Sequence, residues 1–366
     1  MQMPRARTST PEEVAAAVAE HGSINKAAEA LGIGRVTAQR YMKMVDPAVR
    51  VGMERLGTGL VPKTAWIKVK ETEDSPGYSF MVRPDEQEAV ERVREMMEGI
   101  PAAEPQKAPP WACESLLSVY LLADVHVGLL AWAQEAGEDF DTRIATDRMT
   151  NWMARAVDAA PNSDTGILLA LGDTLHANDV TGMTPHSRHV LDVDGRHFRT
   201  VDLTITALCA SIDLMLHKHR RVIVRILPGN HDRDSYLALM FAVAERYRLE
   251  TRVEVQKVPG EHFVHQHGKV LIAAHHGDKA KPPQLVLWLA DRHPEMWGAT
   301  RHRHLFTGHL HHYRAQDIGG VQHEQLRAVA EKDAWAAGMS FTSRAQLQVV
   351  TFDAERGEVQ RSKVGA

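Results

Sequence analysis

The stretch Gly166-Ile-Leu-Leu-Ala-Leu-Gly-Asp-Thr-Leu-His176 is an apolar run that ends abruptly in a glycine and an aspartate. A continuous apolar run of this length, bounded by a glycine, is typical of a strand that is buried on both faces of a parallel sheet. Open α/β folds gather their binding sites at the carboxyl edge of such a sheet. The stretch therefore predicts an α/β fold with Asp173 at that edge.

Four other segments show the same arrangement, a β-like run followed by acidic, amide or imidazole side chains. Side chains two residues apart in extended backbone, such as those of His309 and His311, point to the same face. Because each motif follows a predicted strand, we expect the five motifs to converge on one point. The four segments are 118–123 with Asp124-Val-His126-Val-Gly128, 221–227 with Pro228-Gly-Asn230-His231-Asp232, 269–274 with His275-His276-Gly277-Asp278, and 304–307 with Gly308-His309-Leu-His311.

The chemistry of these side chains favours a metal centre with oxygen and nitrogen ligands. Asp, Asn and His without Cys suit Mn²⁺, Fe or Zn²⁺. The two cysteines of the chain, Cys113 and Cys209, form no thiolate motif. Seven or more ligands exceed what one ion needs, so the set predicts two divalent ions that share a bridging carboxylate. Mn²⁺ is the expected metal, with Fe or Zn²⁺ as alternatives.

The composition is that of a soluble protein of a reducing compartment. The chain has 366 residues, with 43 Lys and Arg against 47 Asp and Glu, and a net charge of −4. This balance argues against an indiscriminate polyanion binder. The N-terminus lacks the apolar core of a signal peptide and no run is apolar enough to span a bilayer, so we expect a cytoplasmic protein without a membrane partner. Histidine is the one excess: 21 in all.

The first part of the chain is predicted to be a separate DNA-binding module. Residues 1–50 contain three helical segments with a glycine turn before the third, which is typical of a helix-turn-helix; a helical bundle for protein contacts is the alternative. Residues 51–99 predict a β-hairpin, a candidate wing, and a helix. The proline-rich residues 100–111 predict a linker, and 112–366 one large α/β domain. The polar residues of the third helix that are candidates for DNA contact are Arg35, Thr37, Gln39, Arg40 and Lys43.

The ordered motifs Asp-x-His, Gly-Asp, Gly-Asn-His, His and Gly-His-x-His, over residues 118–312, resemble those of the calcineurin-like metallophosphoesterase superfamily. The first motif, Asp-x-His-x-Gly, and the histidine that ends the second, His176, are most similar to the nuclease subunits of double-strand-break repair complexes. The phosphoprotein phosphatases are less similar, because their substrate-binding arginines have no match here. The helix-turn-helix layout also resembles phage and prophage phosphoesterases. The resemblance implies a sandwich of two sheets flanked by helices, in a bacterial or phage-infected cell.

The resemblance also implies roles for individual residues. The double histidine leaves an ambiguity: the His-x-Gly pattern of the repair nucleases favours His275, families with His-Gly favour His276, and we favour His275. His231 would be the catalytic imidazole, with Asp232 or a backbone carbonyl fixing its tautomer, and His176 would contact the phosphate. One metal would be held by Asp124, His126, Asp173 and His311, and the other by Asp173, Asn230, His275 or His276, and His309.

These implications predict a metal-dependent phosphodiesterase that hydrolyses DNA. The alternatives are a small-molecule phosphodiesterase or phosphomonoesterase with a regulatory N-terminal module, and a DNA-binding protein without catalysis. DNA is the expected partner, and a homodimer is left open. A segment after the second motif is a candidate clamp for a phosphate backbone, with a solvated loop as the equal alternative; its arginines are Arg188, Arg196 and Arg199.

Overall fold

The computed structural model describes residues 11–21, 23–33, 38, 65–69, 78–82 and 100–365. The chain divides into two compact units, Met1–Glu95 and Met96–Ala366. All five predicted motifs lie in the second unit.

The first unit begins with two short helices, α1 (Pro11–His21) and α2 (Ile24–Leu31), which share a small apolar core. The Ser23 side chain caps α2 by accepting a backbone N–H, and Gly32, at a φ of 65°, ends the helix in the left-handed conformation. These are the first two helices of the predicted helix-turn-helix. Of the predicted third helix only Ala38, which is helical and buried in this core, is described; the five candidate DNA contacts lie outside the described residues and stay predictions.

The same unit contains a two-stranded sheet. Strand β1 (Ala65–Val69) pairs antiparallel with β2 (Tyr78–Val82), in agreement with the predicted hairpin. The use of this hairpin as a wing stays a prediction.

The proline-rich segment 100–112 packs on the second unit as an extended strap. Ala103 is buried in that unit's core, and its N–H donates to the carbonyl of Arg246 at 2.6 Å. The Gln106 N–H donates to the Glu250 carboxylate at 2.7 Å. The sequence predicts 100–111 as a semi-rigid linker because prolines are dense in this segment. Extended backbone can equally lie along a folded surface when a side chain such as Ala103 finds a pocket there.

A six-stranded sheet forms the centre of the second unit. Its strands are β3 (Cys113–Leu122), β4 (Ser163–Ala170), β5 (Arg221–Ile226), β6 (Val253–Val255), β12 (Gln346–Asp353) and β13 (Gly357–Gly365). They lie in the order β13-β12-β3-β4-β5-β6. The strands from β3 to β6 run parallel, whereas β12 and β13 are antiparallel additions. The later parts of β3, β4 and β5 are buried, as their continuous apolar runs predict.

A five-stranded sheet packs against the first. Its strands are β7 (His262–His267), β8 (Val270–His275), β9 (His302–Thr307), β10 (Arg314–Ile318) and β11 (Val321–Gln325). They lie in the order β10-β11-β9-β8-β7, and the three inner strands are parallel. One apolar core fills the space between the sheets, with Leu121, Leu169, Ile272, Phe306 and Phe352 among its members.

Helices cover the outer faces of both sheets. They are α3 (Ala133–Ala136), α4 (Thr142–Ala159), α5 (His197–Leu216), α6 (Tyr236–Arg246), α7 (Pro282–Arg292), α8 (Pro294–Ala299) and α9 (Ala334–Gly338). A second core joins α4, α5 and α6 to the six-stranded sheet, and a third joins α7 and α8 to the five-stranded sheet. The predicted α/β sandwich of two sheets flanked by helices is confirmed. In the described part of the chain, no helix is both long and apolar enough to cross a bilayer.

Candidate metal centre

The five motifs meet at one edge of the sandwich, where parallel strands of both sheets end. The His126 N–H donates to the carbonyl of Asp173 at 2.9 Å, which joins the first two motif loops. The Asp124 carboxylate accepts the His309 N–H at 2.9 and 3.0 Å. The Asp173 carboxylate accepts the His231 N–H at 2.8 Å. These bonds bring loops that are up to 185 residues apart in the chain into one site.

Three of the predicted ligands form one group, which with Asp173 we name the first subsite. Nε2 of His311 lies 3.3 Å from Oδ1 of Asp124 and 3.2 Å from Nε2 of His126. Nε2 of His126 lies 3.8 Å from Oδ2 of Asp173. Each residue of the group offers a ligand atom, and those of Asp124, His126 and His311 lie within 4.8 Å of one another. This is the set that the resemblance implies for one metal.

A second group of ligands adjoins the first through the same aspartate, and we name it the second subsite. Nε2 of His276 lies 3.2 Å from Oδ2 of Asp173 and 3.1 Å from Oδ1 of Asn230; His309 completes the group. Nδ1 of His276 lies 2.9 Å from the carbonyl oxygen of Leu171. An Nδ1–H donated to that oxygen leaves the Nε2 lone pair for a metal. Asp173 thus lies between the two subsites, where a bridging ligand belongs.

The structure places His276 in the second subsite, and His275, the residue favoured from sequence, outside it. Successive residues of β8 point to opposite faces. Ile272, Ala274 and His276 therefore face the inter-sheet core, where Asp173 lies. His275 points to the opposite face, and its Nε2 lies 3.7 Å from the carboxylate of Glu261. Both faces of β8 are apolar, so the sequence pattern alone could not indicate whether His275 or His276 faces Asp173.

Five of the predicted metal ligands have a backbone conformation that non-glycine residues rarely adopt. Each such residue costs about 1–3 kcal/mol and persists only where the surroundings enforce it, and such residues cluster at functional sites. Among the described residues, Arg188 and Ser340 are the other non-glycine residues with positive φ. The five ligands and their φ angles are Asp124 (50°), His126 (48°), Asp173 (50°), His309 (70°) and His311 (56°).

Two motif glycines are required because carboxylate ligands pack directly against their backbone. A Cβ atom at Gly229 would overlap the carboxylate of Asp173, and one at Gly308 would overlap the carboxylate of Asp124. Both overlaps are far inside the closest approach of real side chains. The glycines of Gly-Asn-His and Gly-His-x-His thus serve to let the ligands of other loops approach.

The centre holds buried negative charge without a lysine or arginine to balance it. Within the described residues, Asp124 and Asp173 have only histidines as ion-pair partners. Burial acts to lower the pKa of His276, but the Asp173 carboxylate raises it to about 10; Asp124 likewise raises the pKa of His311 against the effect of burial. Burial holds the pKa of His126 well below its usual value, so this ring is a neutral potential ligand. The donor set and the charge both fit two divalent ions.

His231 presents a ring nitrogen at the rim of the centre. Its Nδ1 lies 2.8 Å from the carbonyl oxygen of His176, so the Nδ1–H donates there and Nε2 is left for a substrate. The ring is half-buried, with its centroid 4.7 Å from that of His126. Of the two predicted ways of fixing its tautomer, the structure shows the backbone carbonyl.

Asp232 anchors the motif loops and lies apart from the His231 ring nitrogens. Its side chain is buried and accepts the N–H groups of Gly229 and Thr174, each at 2.8 Å, and that of Leu175 at 3.2 Å. Burial, with the neighbouring charge of Asp173, raises the pKa of Asp232 to about 6. The structure therefore gives this residue a positioning role in place of the catalytic one predicted from sequence.

His176, predicted to contact the phosphate, is buried behind two other rings. Its Nδ1 lies 3.2 Å from Nδ1 of His126, and its ring stacks on that of His231 with centroids 5.2 Å apart. Burial lowers the pKa of His176 to about 3, so the ring is neutral. The observed contacts of His176 are with the rings of His126 and His231, which it helps to hold in position.

The three arginines predicted to bind substrate are exposed: Arg188 and Arg196 on the segment between β4 and α5, and Arg199 in the first turn of α5. That segment is joined to the first motif loop, because the Asp194 N–H donates to the carbonyl of Gly128 at 2.8 Å. Arg188 and Arg196 therefore lie on a segment joined to the loop that carries His126, and Arg199 lies in the helix that follows this segment.

A third histidine–carboxylate cluster, outside the two subsites, contains the positively charged side chain that the metal centre lacks. His304, Glu324 and Glu358 also offer ligand atoms within 4.8 Å of one another. Arg361, however, donates two hydrogen bonds of 2.6 Å to Glu324 and two of 2.8 Å to Glu358. The guanidinium already supplies the positive charge, so we interpret this cluster as a structural ion-pair network.

Sequence reasoning missed three charged residues at the rim of the second subsite: Arg233, Glu261 and Lys279. Arg233 and Lys279 each follow a second-subsite ligand by three residues, and this spacing is the only signal that could have indicated them.

No protein-family model and no curated protein matches this chain. Among solved structures, a protein of Streptococcus pneumoniae TIGR4 described as a predicted phosphoesterase is similar at 12% identity and a TM-score of 0.29, over 69% of this chain and 100% of that one. An archaeal phosphodiesterase is similar at 10% identity and a TM-score of 0.34, over 68% and 99%. A dimetal phosphatase of Danio rerio is similar at 12% identity and a TM-score of 0.36, over 68% and 98%. At TM-scores this low the similarities say nothing about activity.

Proposed function

We propose that the chain is a dinuclear metal-dependent phosphodiesterase that hydrolyses DNA, a nuclease directed by its N-terminal helix-turn-helix. One observation carries the proposal: ligands from five strand ends form two adjoining subsites that share Asp173. The order of the motifs that supply them resembles that of the calcineurin-like metallophosphoesterases. The seven ligands are Asp124, His126, Asp173, Asn230, His276, His309 and His311.

Two divalent ions, for which we propose Mn²⁺, would supply charge stabilisation of the phosphate oxygens and a nucleophilic water. The chain's own contribution is to hold the ligands before substrate binds. Asp173 is fixed by the His231 N–H at 2.8 Å, and Asp124 by the His309 N–H. Because Nδ1 of His231 is held on the His176 carbonyl, its Nε2 is the atom that would pass a proton to the leaving oxygen. General acid catalysis of this kind contributes about 10²–10⁴-fold.

DNA is the proposed substrate for three reasons. The second motif ends in His176, as in the repair nucleases that the chain resembles. The predicted helix-turn-helix would deliver the enzyme to duplex. Three exposed arginines would add positive charge for a phosphate backbone: Arg188 and Arg196 on the segment joined to the first motif loop, and Arg199 at the start of α5.

The test is hydrolysis by the purified full chain with Mn²⁺, using labelled linear duplex, single strands and bis-p-nitrophenyl phosphate. We expect cleavage of DNA and of the small ester, and loss of both with a chelator or in Asp173→Ala. Hydrolysis of the small ester with DNA untouched would indicate a small-molecule phosphodiesterase. No hydrolysis with Mn²⁺, Fe²⁺ or Zn²⁺ would indicate a non-catalytic DNA-binding protein.

The helix-turn-helix needs a separate measurement on the full chain. The double variant Arg35→Ala/Arg40→Ala should weaken duplex affinity, measured by gel shift at fixed salt. Hydrolysis of the small ester reports the state of the metal centre in the same preparation. Unchanged duplex affinity would show that the DNA anchor lies elsewhere.

A further inference from the structure

Three charged side chains, Arg233, Glu261 and Lys279, form what we name the rim cluster. Nη2 of Arg233 donates to Oε1 of Glu261 at 2.9 Å, and Nζ of Lys279 donates to the same oxygen. The Arg233 and Lys279 side chains are 42% and 39% exposed. Burial acts to raise the pKa of Glu261, but Lys279 and Arg233 hold it below its usual value, so the carboxylate is charged at neutral pH. One carboxylate thus orders two cations.

The rim cluster lies at the same edge as the metal centre. Arg233 and Lys279 are on the two loops that carry second-subsite ligands, three residues beyond them. Glu261 immediately precedes β7, whose first residue pairs with His275 at the end of β8. Oε2 of Glu261 lies 3.7 Å from Nε2 of His275, the neighbour of a second-subsite ligand. Both cations are therefore at the same sheet edge as the second subsite and open to solvent, and Glu261 approaches this edge from the face of β8 that carries His275.

An ordinary surface ion pair offers a comparison. Arg221 and Glu254, 54% and 46% exposed, pair at the opposite end of β5 from the metal centre. Exposed pairs of this kind add little to stability. The rim cluster, at the sheet edge that carries the metal centre, is expected to add equally little to stability. Because Glu261 holds both cations in fixed positions, however, they can donate charge-assisted hydrogen bonds to a polyanion. Asp278, the residue before Lys279, acts on the imidazoles of His275, His276 and His309.

We propose that the rim cluster binds an anionic group of the substrate beyond the phosphate at the metal centre. Arg233 and Lys279 make the contacts, and Glu261 is the positioning residue. This rests on the proposed phosphodiesterase function and specifies its substrate class: a chain with successive phosphates, such as a polynucleotide strand, in preference to an isolated phosphate ester.

The first test compares two substrates at one metal centre. With Arg233→Ala/Lys279→Ala, kcat/KM for a short oligothymidylate should fall about tenfold, through KM, because two charge-assisted contacts are lost. Hydrolysis of bis-p-nitrophenyl phosphate, which has one phosphate, should change less than about twofold. Arg221→Ala is the matched control and should change neither. An equal fall for both substrates, or none, would overturn the proposal.

The second test measures binding and needs no turnover. In a His231→Ala background with Mn²⁺, fluorescence anisotropy gives the affinity for labelled oligothymidylate at several salt concentrations. Each phosphate contact to a single strand contributes about 0.7 to the slope of log affinity against log salt. The double variant should lower the slope by about 1.4, and Arg221→Ala should leave it unchanged. An unchanged slope in the double variant would refute the contacts.

The variant Glu261→Gln distinguishes a positioning role from simple charge balance, because the two roles predict opposite changes in the affinity for oligothymidylate. If Glu261 only neutralised the cations, its removal would tighten oligothymidylate binding; if it positions them, binding weakens, and we expect weakening. Tighter or unchanged binding would overturn its role. Should the wild-type chain hydrolyse neither substrate, the proposed function fails, and the anisotropy measurements still decide on the rim cluster.

Discussion

The pair His276→Ala and His275→Ala tests the metal centre most directly. The two histidines are adjacent and equally buried, at 1% and 2% exposed, so each substitution removes the same ring from a similar packing environment. Only His276 places Nε2 near the ligands, 3.2 Å from Asp173 and 3.1 Å from Asn230. His276→Ala should therefore lose the second metal, whereas His275→Ala should keep both.

The magnitude follows from ligand loss. Removing an outer hydrogen-bond partner of a metal ligand already lowers metal affinity about 10–100-fold, which is about 1.4–2.7 kcal/mol, so removing a ligand should cost at least that. Because a ligand that binds only the folded state raises stability by its binding free energy, the Mn²⁺-dependent gain in the free energy of unfolding should fall by a similar amount. Each variant is compared with itself, with and without Mn²⁺, so the loss of packing that either substitution causes does not enter the comparison.

The assay is Mn²⁺ titration by calorimetry, with thermal unfolding at matched free Mn²⁺. We expect two sites in the wild type and in His275→Ala, and one in His276→Ala. If His275→Ala loses a site while His276→Ala keeps two, the assignment of the second subsite is wrong.

Three further predictions concern the catalytic imidazole, a motif glycine and acid stability. His231→Ala should bind two metals by calorimetry yet lose about 10²–10⁴-fold in kcat on DNA, whose sugar oxygen leaves only with a proton, because only the proton donor is removed; full turnover of DNA would exclude the role. Gly308→Ala should displace the Asp124 carboxylate and weaken metal binding, whereas Gly298→Ala, with open space around its Cβ, should not; equal metal content in both variants would contradict the packing argument. His219 is buried, and burial lowers its pKa from 6.5 to about 4. The unfolded chain therefore takes up a proton first as pH falls, and stability is lost as the pH falls from about 6.5 to about 4. The loss reaches roughly 3 kcal/mol, because each tenfold difference in proton affinity between the folded and unfolded chain is worth about 1.4 kcal/mol. Urea unfolding at pH 7 and pH 4.5 should show a smaller acid loss in His219→Gln than in the wild type, and an identical loss would refute the assignment.

The sequence allowed the ligand types and their strand-end positions to be predicted because both follow from local pattern. An apolar run that ends in Gly172-Asp173 places a carboxylate at a sheet edge whatever surrounds it. Convergence of the five motifs then follows from the parallel order of the strands. The two sheets and the shared position of Asp173 accordingly agree with expectation.

What the sequence left open depends on contacts between distant segments. His275 and His276 differ only in which face of β8 they occupy, and both faces are covered by apolar residues. Asp232 accepts N–H groups from the second motif loop, which no local pattern reveals. The strap at 100–112 docks through Ala103, one small side chain whose pocket forms only in the folded unit.

The positive φ angles of five metal ligands also reduce the folding stability of the metal centre. Glycine adopts positive φ without the penalty that a Cβ atom brings, about 1–2 kcal/mol per residue. At Asp124, His126, Asp173, His309 and His311, replacement by glycine would therefore relieve local strain while removing a ligand. Local strain opposes keeping these side chains, whereas the backbone N–H groups accepted by Asp124 and Asp173 favour keeping those two. A metal that binds only the folded chain adds free energy to the state that keeps all five. We therefore expect the metal-free protein to be less stable to unfolding than the metal-bound protein, with local unfolding starting at the motif loops.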